Sequence, residues 1–185
     1  MSDKTLVTPT LGVCASGSGM GKTTLLLKLI PELISRGLRI SVVKHAHHRF
    51  DIDHPGKDSY RLREAGAAQM MIGSSRRWAL MTELAEVPDT ARVEPELADL
   101  LAHMDTKLAD LILVEGFRHA PIAKIEVYRA ALGMPLLALE DPSIIAVATD
   151  SPVAATQPQL DINDVSAIAS YVMQWLADNH NINNS

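Results

Sequence analysis

Short apolar runs alternate with polar and glycine-rich stretches along this chain, and their spacing predicts strands and helices in turn. Residues 11–15 have the length and composition of a buried strand, and residues 23–35 have the leucine pattern of a helix that packs against a sheet. Residues 38–43 form a second short run that is rich in β-branched side chains. This order predicts a parallel strand-helix-strand unit.

Later apolar runs predict a hairpin and the rest of the sheet. Residues 69–73 and 78–82 are split by four polar residues, which predicts a hairpin or a pair of strands. Residues 111–114, 122–128 and 144–148 are further strand candidates. We therefore expect an α/β fold with a mostly parallel sheet flanked by helices and an added β-hairpin region.

Three further helices are expected from capping residues and helical spacing. Asp58 or Ser59 can cap a helix that ends at Gly66, and Pro95 can begin a short helix that reaches about residue 101. Residues 164–176 place apolar side chains at helical spacing, which predicts a packing helix.

Composition narrows the classes of protein that fit. The 185 residues are 47% hydrophobic, so we expect a single domain over residues 1–185, with 1–8 and 179–185 flexible. The net charge of −5 argues against nucleic-acid binding, because phosphate-backbone binders carry clustered Lys and Arg. No window approaches the ~18 apolar residues of a membrane span, and Cys14 is the lone cysteine. We expect a cytoplasmic protein that does not bind membranes.

A glycine-rich loop between the first predicted strand and helix is the strongest chemical signal. The consensus G-x-x-x-x-G-K-[ST] fits except that Ser16 stands at its first glycine. Backbone N–H groups in such a loop, together with the helix N-terminus, bind phosphates. Lys22 would then reach the β- and γ-phosphates, and the Thr23 hydroxyl would bind Mg²⁺. The sequence predicts a variant phosphate loop of a nucleotide-binding domain.

A second signal is the acid that ends the apolar run at residues 111–114. Glu115 follows this predicted strand directly and is followed by Gly116. In phosphate-loop proteins an acid at the tip of a neighbouring strand holds Mg²⁺ or its water. We therefore expect Glu115 to have a metal-binding and catalytic role.

The polar segment at residues 44–67 is expected to lie beside the phosphates. Lys44 begins it directly after a predicted strand, and ligands of open α/β sheets bind at the carboxyl ends of strands. We expect its lysine and early histidines to contact an anion. The histidines of this segment are His45, His47, His48 and His54.

Asp150 follows a late predicted strand and is a candidate for base recognition. A carboxylate there can accept hydrogen bonds from both N1–H and N2–H of guanine, a donor pair that adenine lacks. An ordinary turn aspartate is the alternative interpretation.

The motifs together carry a family resemblance over nearly the whole chain. In order they resemble the MobB family, the molybdopterin-guanine dinucleotide biosynthesis adaptor proteins. The middle motif, with its histidines and GKDSYRLR, is more specific than a phosphate loop alone. The segments are ASGSGMGKTT, KHAHHRFDIDHPGKDSYRLREAGA, RRWALMTE, LILVEGFRHAPIAKIEVYR, IIAVATD and LDINDV.

The resemblance implies a phosphate-loop NTPase-like fold and a GTP-binding homodimer with at most slow, Mg²⁺-dependent GTPase activity. It further implies a role in assisting the guanylyltransferase that attaches GMP to the molybdopterin cofactor. The family's loop lysine and threonine correspond to Lys22 and Thr23, and its strand-end glutamate corresponds to Glu115. The full set of expected nucleotide-binding residues is Gly17, Ser18, Gly19, Met20, Gly21, Lys22, Thr23, Thr24, Lys44, His45, His48, Asp58 and Asp150.

Two other functions share these features. A metallochaperone GTPase could use the imidazoles between His45 and His54, with Asp51 and Asp53 interleaved, as metal ligands. A small-molecule kinase or ATP-dependent ligase could use the same fold. Tight metal binding without nucleotide would indicate the first, and a phosphorylated product would indicate the second.

Overall fold

The computed structural model describes residues 8–46, 50–84 and 95–183, with side chains described through residue 179. Two compact units divide the chain: Met1–His45 together with Glu96–Ser185, and Ala46–Pro95. Compact units can belong to one domain, so the single domain over 1–185 stays a prediction. Of the segments expected to be flexible, residues 1–7 and 184–185 lie outside the described residues.

Eight strands and four helices make up the described chain, with three short 3₁₀ turns between them. The strands are β1 (Thr10–Cys14), β2 (Ile40–Lys44), β3 (Gln69–Gly73), β4 (Trp78–Thr82), β5 (Leu111–Glu115), β6 (Lys124–Tyr128), β7 (Ile144–Thr149) and β8 (Gln159–Asp161). The helices are α1 (Lys22–Ser35), α2 (Asp58–Glu64), α3 (Leu97–Ala102) and α4 (Val165–Asn183).

The first unit is built on a six-stranded sheet in the order β2-β5-β1-β6-β7-β8. Every neighbouring pair of strands in it is parallel. Because β5 and β6 both pair with β1, Val13 lies opposite Glu115 and Cys14 lies opposite Glu126. The carboxyl ends of β1 and β5 therefore meet at one edge, where a ligand of a parallel sheet binds.

Helices cover both faces of this sheet. On one face α1 and α4 pack against the strands through buried leucines such as Leu29 and Leu33 and through Ile168 and Val172. On the other face Leu97 of α3 joins a smaller buried cluster with side chains of β2 and β5. A sheet buried on both faces explains why its strands are nearly continuous apolar runs.

Strand β6 departs from that apolar rule, because it buries two charged side chains. Lys124 is 2% exposed, and its Nζ donates to Ala120 O (2.7 Å) and pairs with Asp141 Oδ2 (3.1 Å). Its stem fits against Gly12, where an added Cβ would lie 2.7 Å from Lys124 Cγ. Each charge is thus given specific polar partners, without which burial would be costly.

The second charged residue of β6 is Glu126, which is fully buried. Its two carboxylate oxygens accept hydrogen bonds from Leu137 N (2.9 Å) and Ala138 N (2.8 Å), at a 3₁₀ turn. Burial raises the pKa of Glu126 and outweighs these two hydrogen bonds, which act to lower it. Cys14 on the adjacent strand is also buried, and burial, followed by the charge of Glu126, raises its pKa to about 12.

The second unit contains α2 and the antiparallel hairpin β3–β4. Arg63 links α2 to the segments before and after it in this unit. Its guanidinium pairs with Asp51 Oδ1 (2.6 Å) and with Glu83 Oε1 (2.9 Å). Several large apolar side chains of the hairpin are nevertheless exposed. They are Met71, Ile72, Trp78 and Leu80.

Most predicted elements are present with shifted ends. The hairpin strands end where predicted, while α4 extends to Asn183 and β8 was missed. The helix expected after Asp58 or Ser59 has Lys57 as its N-cap, so both capping predictions were wrong; Asp58 is instead the first helical residue. Within the described ranges, none of the helices is both long and apolar enough to traverse a bilayer.

Candidate functional site

The loop between β1 and α1 brings backbone N–H groups to the carboxyl edge of the sheet. Gly21, the N-cap of α1, has a φ of 102°, a left-handed conformation that favours glycine. No side chain caps α1, and its first turn carries no acidic residue. The amides and positive dipole end of α1 are thus left for an external anion.

Within the loop, side chains take different directions. Met20 is buried in the main core, whereas Ser18, Thr23 and Thr24 are exposed. At Met20, therefore, the backbone but not the side chain is available to a ligand. The Oγ of Ser16, at the position of the missing consensus glycine, is buried and has no hydrogen-bond partner among the described residues.

Lys22 lies over the loop. Its Nζ donates a hydrogen bond to the carbonyl oxygen of Gly17 at 2.8 Å, five residues earlier. This contact holds the ammonium group at the loop, where a positive charge would meet phosphate oxygens.

Glu115 lies at the centre of a polar cluster formed with Thr23 and Lys44. The Thr23 hydroxyl donates to Glu115 Oε1 (2.6 Å), and Lys44 Nζ pairs with Glu115 Oε2 (2.8 Å). Burial acts to raise the pKa of Glu115, but the hydrogen bonds from Lys44 and Thr23, with the charges of Lys44 and Lys22, hold it below its usual value. Glu115 is therefore an ionised acceptor at neutral pH.

The backbone after Glu115 is held in an uncommon conformation. Gly116 and Phe117 have φ values of 91° and 49°. His45 N donates to Glu115 O (2.9 Å), and the His45 ring lies against the Phe117 ring at 4.8 Å between centroids. A Cβ on residue 116 would lie 2.9 Å from His45 Cβ, so glycine is required there. A positive φ at a bulky residue such as Phe117 is strained, and such strain is concentrated at functional sites.

The donor set at this cluster fits Mg²⁺. Mg²⁺ prefers oxygen ligands and binds through one or two protein oxygens together with phosphates and water. The Thr23 hydroxyl and the Glu115 carboxylate supply adjacent oxygens beside the N-terminus of α1. Thr23 and Glu115 are therefore the residues that would hold the ion, and both carboxylate oxygens of Glu115 are already engaged by Thr23 and Lys44.

Comparison with known proteins identifies the family. A model of the family described as molybdopterin guanine dinucleotide synthesis protein B, MobB, matches residues 10–150. The molybdopterin-guanine dinucleotide biosynthesis adapter protein of Escherichia coli (strain K12) is 50% identical over 177 residues, covering 95% of this chain and 97% of the relative. The chain belongs to the MobB family.

Other MobB relatives agree in sequence and in fold. The adapter protein of Haemophilus influenzae is 44% identical over 173 residues, covering 93% of this chain and 92% of the relative. The crystal structure of a MobB homologue from Bacillus stearothermophilus superposes with a TM-score of 0.63 at 21% identity, covering 91% of this chain and 98% of the other. The second likeness bears on the fold alone.

The structure of this MobB chain brings several predicted residues together. Thr23, Lys44 and Glu115 form one hydrogen-bonded cluster. The backbone N–H of His45 donates to the carbonyl oxygen of Glu115. His48 lies outside the described residues. Asp58 begins α2 in the second unit, and its role in nucleotide binding stays a prediction.

Asp150 has a partner that the sequence did not indicate. Arg129, which directly follows β6, donates from Nη1 to Asp150 Oδ2 at 3.1 Å. The signal available in the sequence was a lone arginine directly after a predicted strand, the position at which Lys44 was selected. Guanine recognition by Asp150 stays a prediction that competes with this ion pair.

The histidine segment shows no metal cluster where it is described. Among residues 8–46, 50–84 and 95–183, no group of three or more His, Cys, Asp or Glu side chains is arranged to hold a metal ion. His47 and His48 are outside these ranges, so the metallochaperone alternative stays open.

Proposed function

We propose that this chain is a cytoplasmic GTP-binding adapter that assists the guanylyltransferase step converting the molybdopterin cofactor to its guanine dinucleotide form. The observation that carries the proposal is the cluster of Thr23, Glu115 and Lys44 at the start of α1, next to a loop with Lys22 folded over it. The adapter names of the relatives from E. coli and H. influenzae support the pathway.

In this proposal the loop holds the triphosphate. Backbone N–H groups at the start of α1 donate to phosphate oxygens, and Lys22 leaves the Gly17 carbonyl to pair with the β- and γ-phosphates. Lys44 pairs with Glu115 and offsets its negative charge. Each of these contacts is electrostatic, so affinity should fall as salt concentration rises.

Mg²⁺ would be held by the Thr23 hydroxyl and, through water, by Glu115. When bound it supplies positive charge that neutralises the phosphate oxygens. Glu115, kept ionised by its neighbours, would serve as a hydrogen-bond acceptor beside the ion.

Hydrolysis by the isolated protein should be slow. Fast GTPases place an arginine at the γ-phosphate, which contributes about 10³–10⁵ in rate. The sequence offers Arg49, Arg61, Arg63 and Arg118 as candidates for this role, with no spacing that fixes any of them there. Arg63 is engaged by Asp51 and Glu83, and Arg118 donates from Nε to His119. Arg49 lies outside the described residues. We infer turnover below about 1 s⁻¹, under the usual enzyme range.

The binding test is calorimetric titration with GTP and with ATP, each with Mg²⁺, on wild type and Lys22→Ala. Loss of the charge-assisted contact should weaken GTP binding by at least ~2 kcal/mol, about 30-fold, with the fold intact. Lys28→Ala is the matched control, because Lys28 is an exposed lysine on the same helix. Equal GTP affinity in Lys22→Ala and wild type would contradict the phosphate-loop proposal.

The adapter role is tested by a two-part assay. Steady-state GTP hydrolysis is measured on the protein alone, and guanylylation of the molybdopterin cofactor is measured with the transferase, with and without this protein. We expect slow hydrolysis and a faster transferase reaction. Turnover of about ten per second or more alone, with no effect on the transferase, would overturn the adapter role in favour of an enzyme.

We also propose that the protein acts as a homodimer. A two-stranded hairpin is marginally stable by itself in water, and β3–β4 exposes Trp78 and Leu80. Light scattering on the full chain should give the mass of two copies, and Trp78→Ser with Leu80→Ser should shift it toward one. A monomeric wild type at working concentrations would contradict the proposal.

A further inference from the structure

Arg129 packs against the phosphate loop on the β6 side of β1, whereas Glu115 lies on the β5 side. It follows β6, whereas Glu115 ends β5, and β1 lies between these two strands. Its Nε and Nη2 atoms lie 3.6 and 3.7 Å from the place where a Cβ of Gly21 would be. The guanidinium group is thus in contact range of the loop residue that caps α1.

The orientation of this guanidinium is set by Asp150. Nη1 of Arg129 pairs with Asp150 Oδ2 at 3.1 Å, and both side chains are partly buried, with exposures of 35% and 30%. This is the only hydrogen bond that the Arg129 side chain makes to any of the described residues. Since a guanidinium has five N–H donors, Nε and Nη2 retain theirs on the side of Gly21.

The turn that carries Asp150 is itself fixed. Thr149 Oγ1 donates to Ser151 O (2.8 Å) and accepts from Ser151 N (3.3 Å). Ser151 Oγ is buried and has no hydrogen-bond partner among the described residues. The carboxyl ends of β6 and β7 therefore hold Arg129 and Asp150 in an ordered ion pair.

We propose that Arg129 is a nucleotide-binding residue that donates its Nε–H and Nη2–H groups to phosphate oxygens of the nucleotide in the loop, and that Asp150 positions it. The inference rests on the proposed GTP binding. Arginine suits this role because its planar fork can bridge a carboxylate on one side and a phosphate on the other. Lys22 and Arg129 would then supply positive charge from two sides of the loop.

This assignment gives Asp150 a role different from base recognition. A positioning carboxylate acts through Arg129, so removing it should weaken GTP and ATP equally. A carboxylate that reads guanine should affect GTP alone. The two roles are separated by comparing nucleotides in a double-mutant cycle.

The experiment titrates GTP and ATP, each with Mg²⁺, into wild type, Arg129→Ala, Arg129→Lys, Asp150→Asn and the double variant Arg129→Ala with Asp150→Asn. We expect Arg129→Ala to lower both affinities about tenfold or more, and Arg129→Lys to lower them less, since lysine keeps the charge but not the fork. Asp150→Asn should lower both by a similar factor. The double variant should bind no more weakly than Arg129→Ala.

A matched control is available at the amino-terminal ends of two strands of the same sheet. Arg39 pairs with Asp110 just before β2 and β5 begin, far along the strands from the loop. Arg39→Ala should leave both nucleotide affinities unchanged. Thermal unfolding of every variant shows which are folded, and Arg129→Lys keeps the test available if Arg129→Ala does not fold.

Two results would overturn the inference. One is GTP affinity in Arg129→Ala within about twofold of wild type. The other is a loss in Asp150→Asn that is confined to GTP and adds to the loss in Arg129→Ala, which would return Asp150 to base recognition. Failure of the proposed function is distinguishable from both, because wild type itself would then bind neither nucleotide.

Discussion

Two glutamates lie on the strands that flank β1, and their surroundings shift their pKa values in opposite directions. Glu115 ends β5 beside a hydroxyl group and an ammonium group, and its pKa is lowered. Glu126 lies inside β6, bound by two backbone N–H groups, and its pKa is raised. Both are buried acids one strand away from the phosphate loop, so burial alone does not distinguish a functional carboxylate from a structural one.

The two carboxylates differ in the kind of group that donates hydrogen bonds to them. The partners of Glu115 are the side chains of Thr23 and Lys44, which can rotate toward other acceptors. The partners of Glu126 are main-chain amides of a turn, which have no other acceptor if the carboxylate leaves. We therefore propose a ligand-binding role for Glu115 and a fold-stabilising role for Glu126.

The largest expected effect concerns Cys14, which pairs in register with Glu126. A pKa near 12 lowers the thiolate fraction at pH 8 about a thousandfold relative to an ordinary cysteine. Alkylation by iodoacetamide should therefore be at least that much slower in the native protein than in urea. Comparable native and unfolded rates would show that the Glu126 side of β1 is open to solvent.

Glu115→Gln should reduce GTP hydrolysis by about 10- to 100-fold while changing GTP affinity less, because in the proposed site it would weaken an outer contact of Mg²⁺. Single-turnover hydrolysis and calorimetry measure the two quantities. Glu140→Gln, at an exposed acid, is the control. Equal losses in hydrolysis and affinity would assign Glu115 to simple binding.

Glu126→Gln should lower the free energy of unfolding by about 1–3 kcal/mol, because the new amide N–H would face a backbone N–H that then lacks an acceptor. Urea denaturation measures it. Nucleotide affinity of the folded variant should remain that of wild type. A variant as stable as wild type would show that the turn at Leu137 and Ala138 does not depend on this carboxylate.

The smallest effect is a pair of opposite pH dependences. Glu115 has a lowered pKa, so its stabilising contribution is present above about pH 4.5 and is lost as pH falls through its folded-state pKa. Glu126 has a raised pKa, so its contribution is larger near pH 4.5 and declines as pH rises through its folded-state value. Stability differences between wild type and each Gln variant should therefore change in opposite directions on acidification, and parallel trends would contradict the comparison.

The sequence predicted Glu115 but not Glu126, for a physical reason. The acid at residue 115 ends an apolar run, and ends of parallel strands are where ligands bind. In KIEVY the charged residues alternate with apolar ones, a pattern typical of a strand with one solvent-exposed face. Their burial depends on Asp141, Leu137 and Ala138, partners that lie at least eleven residues further along the chain.

Boundaries followed the same logic. The hairpin strands were predicted accurately because the polar turn at residues 74–77 marks where β3 ends and where β4 begins. The three-residue β8 was missed because it is defined by its pairing with β7 rather than by any apolar run. Arg129 was missed as a site residue because its role depends on its contacts with Gly21 and Asp150, which follow from strand order.

The close fit of Lys124 against Gly12 predicts that these two positions on neighbouring strands change together in evolution. A methyl group on residue 12 would lie 2.7 Å from Lys124 Cγ, near the base of the side chain, where it cannot simply swing away. Larger residues at position 12 should therefore become acceptable only in lineages that have first shortened residue 124. Gly12→Ala should accordingly destabilise wild type more than it destabilises a Lys124→Ala background in urea denaturation, and equal costs would mean that the two positions are free to drift independently.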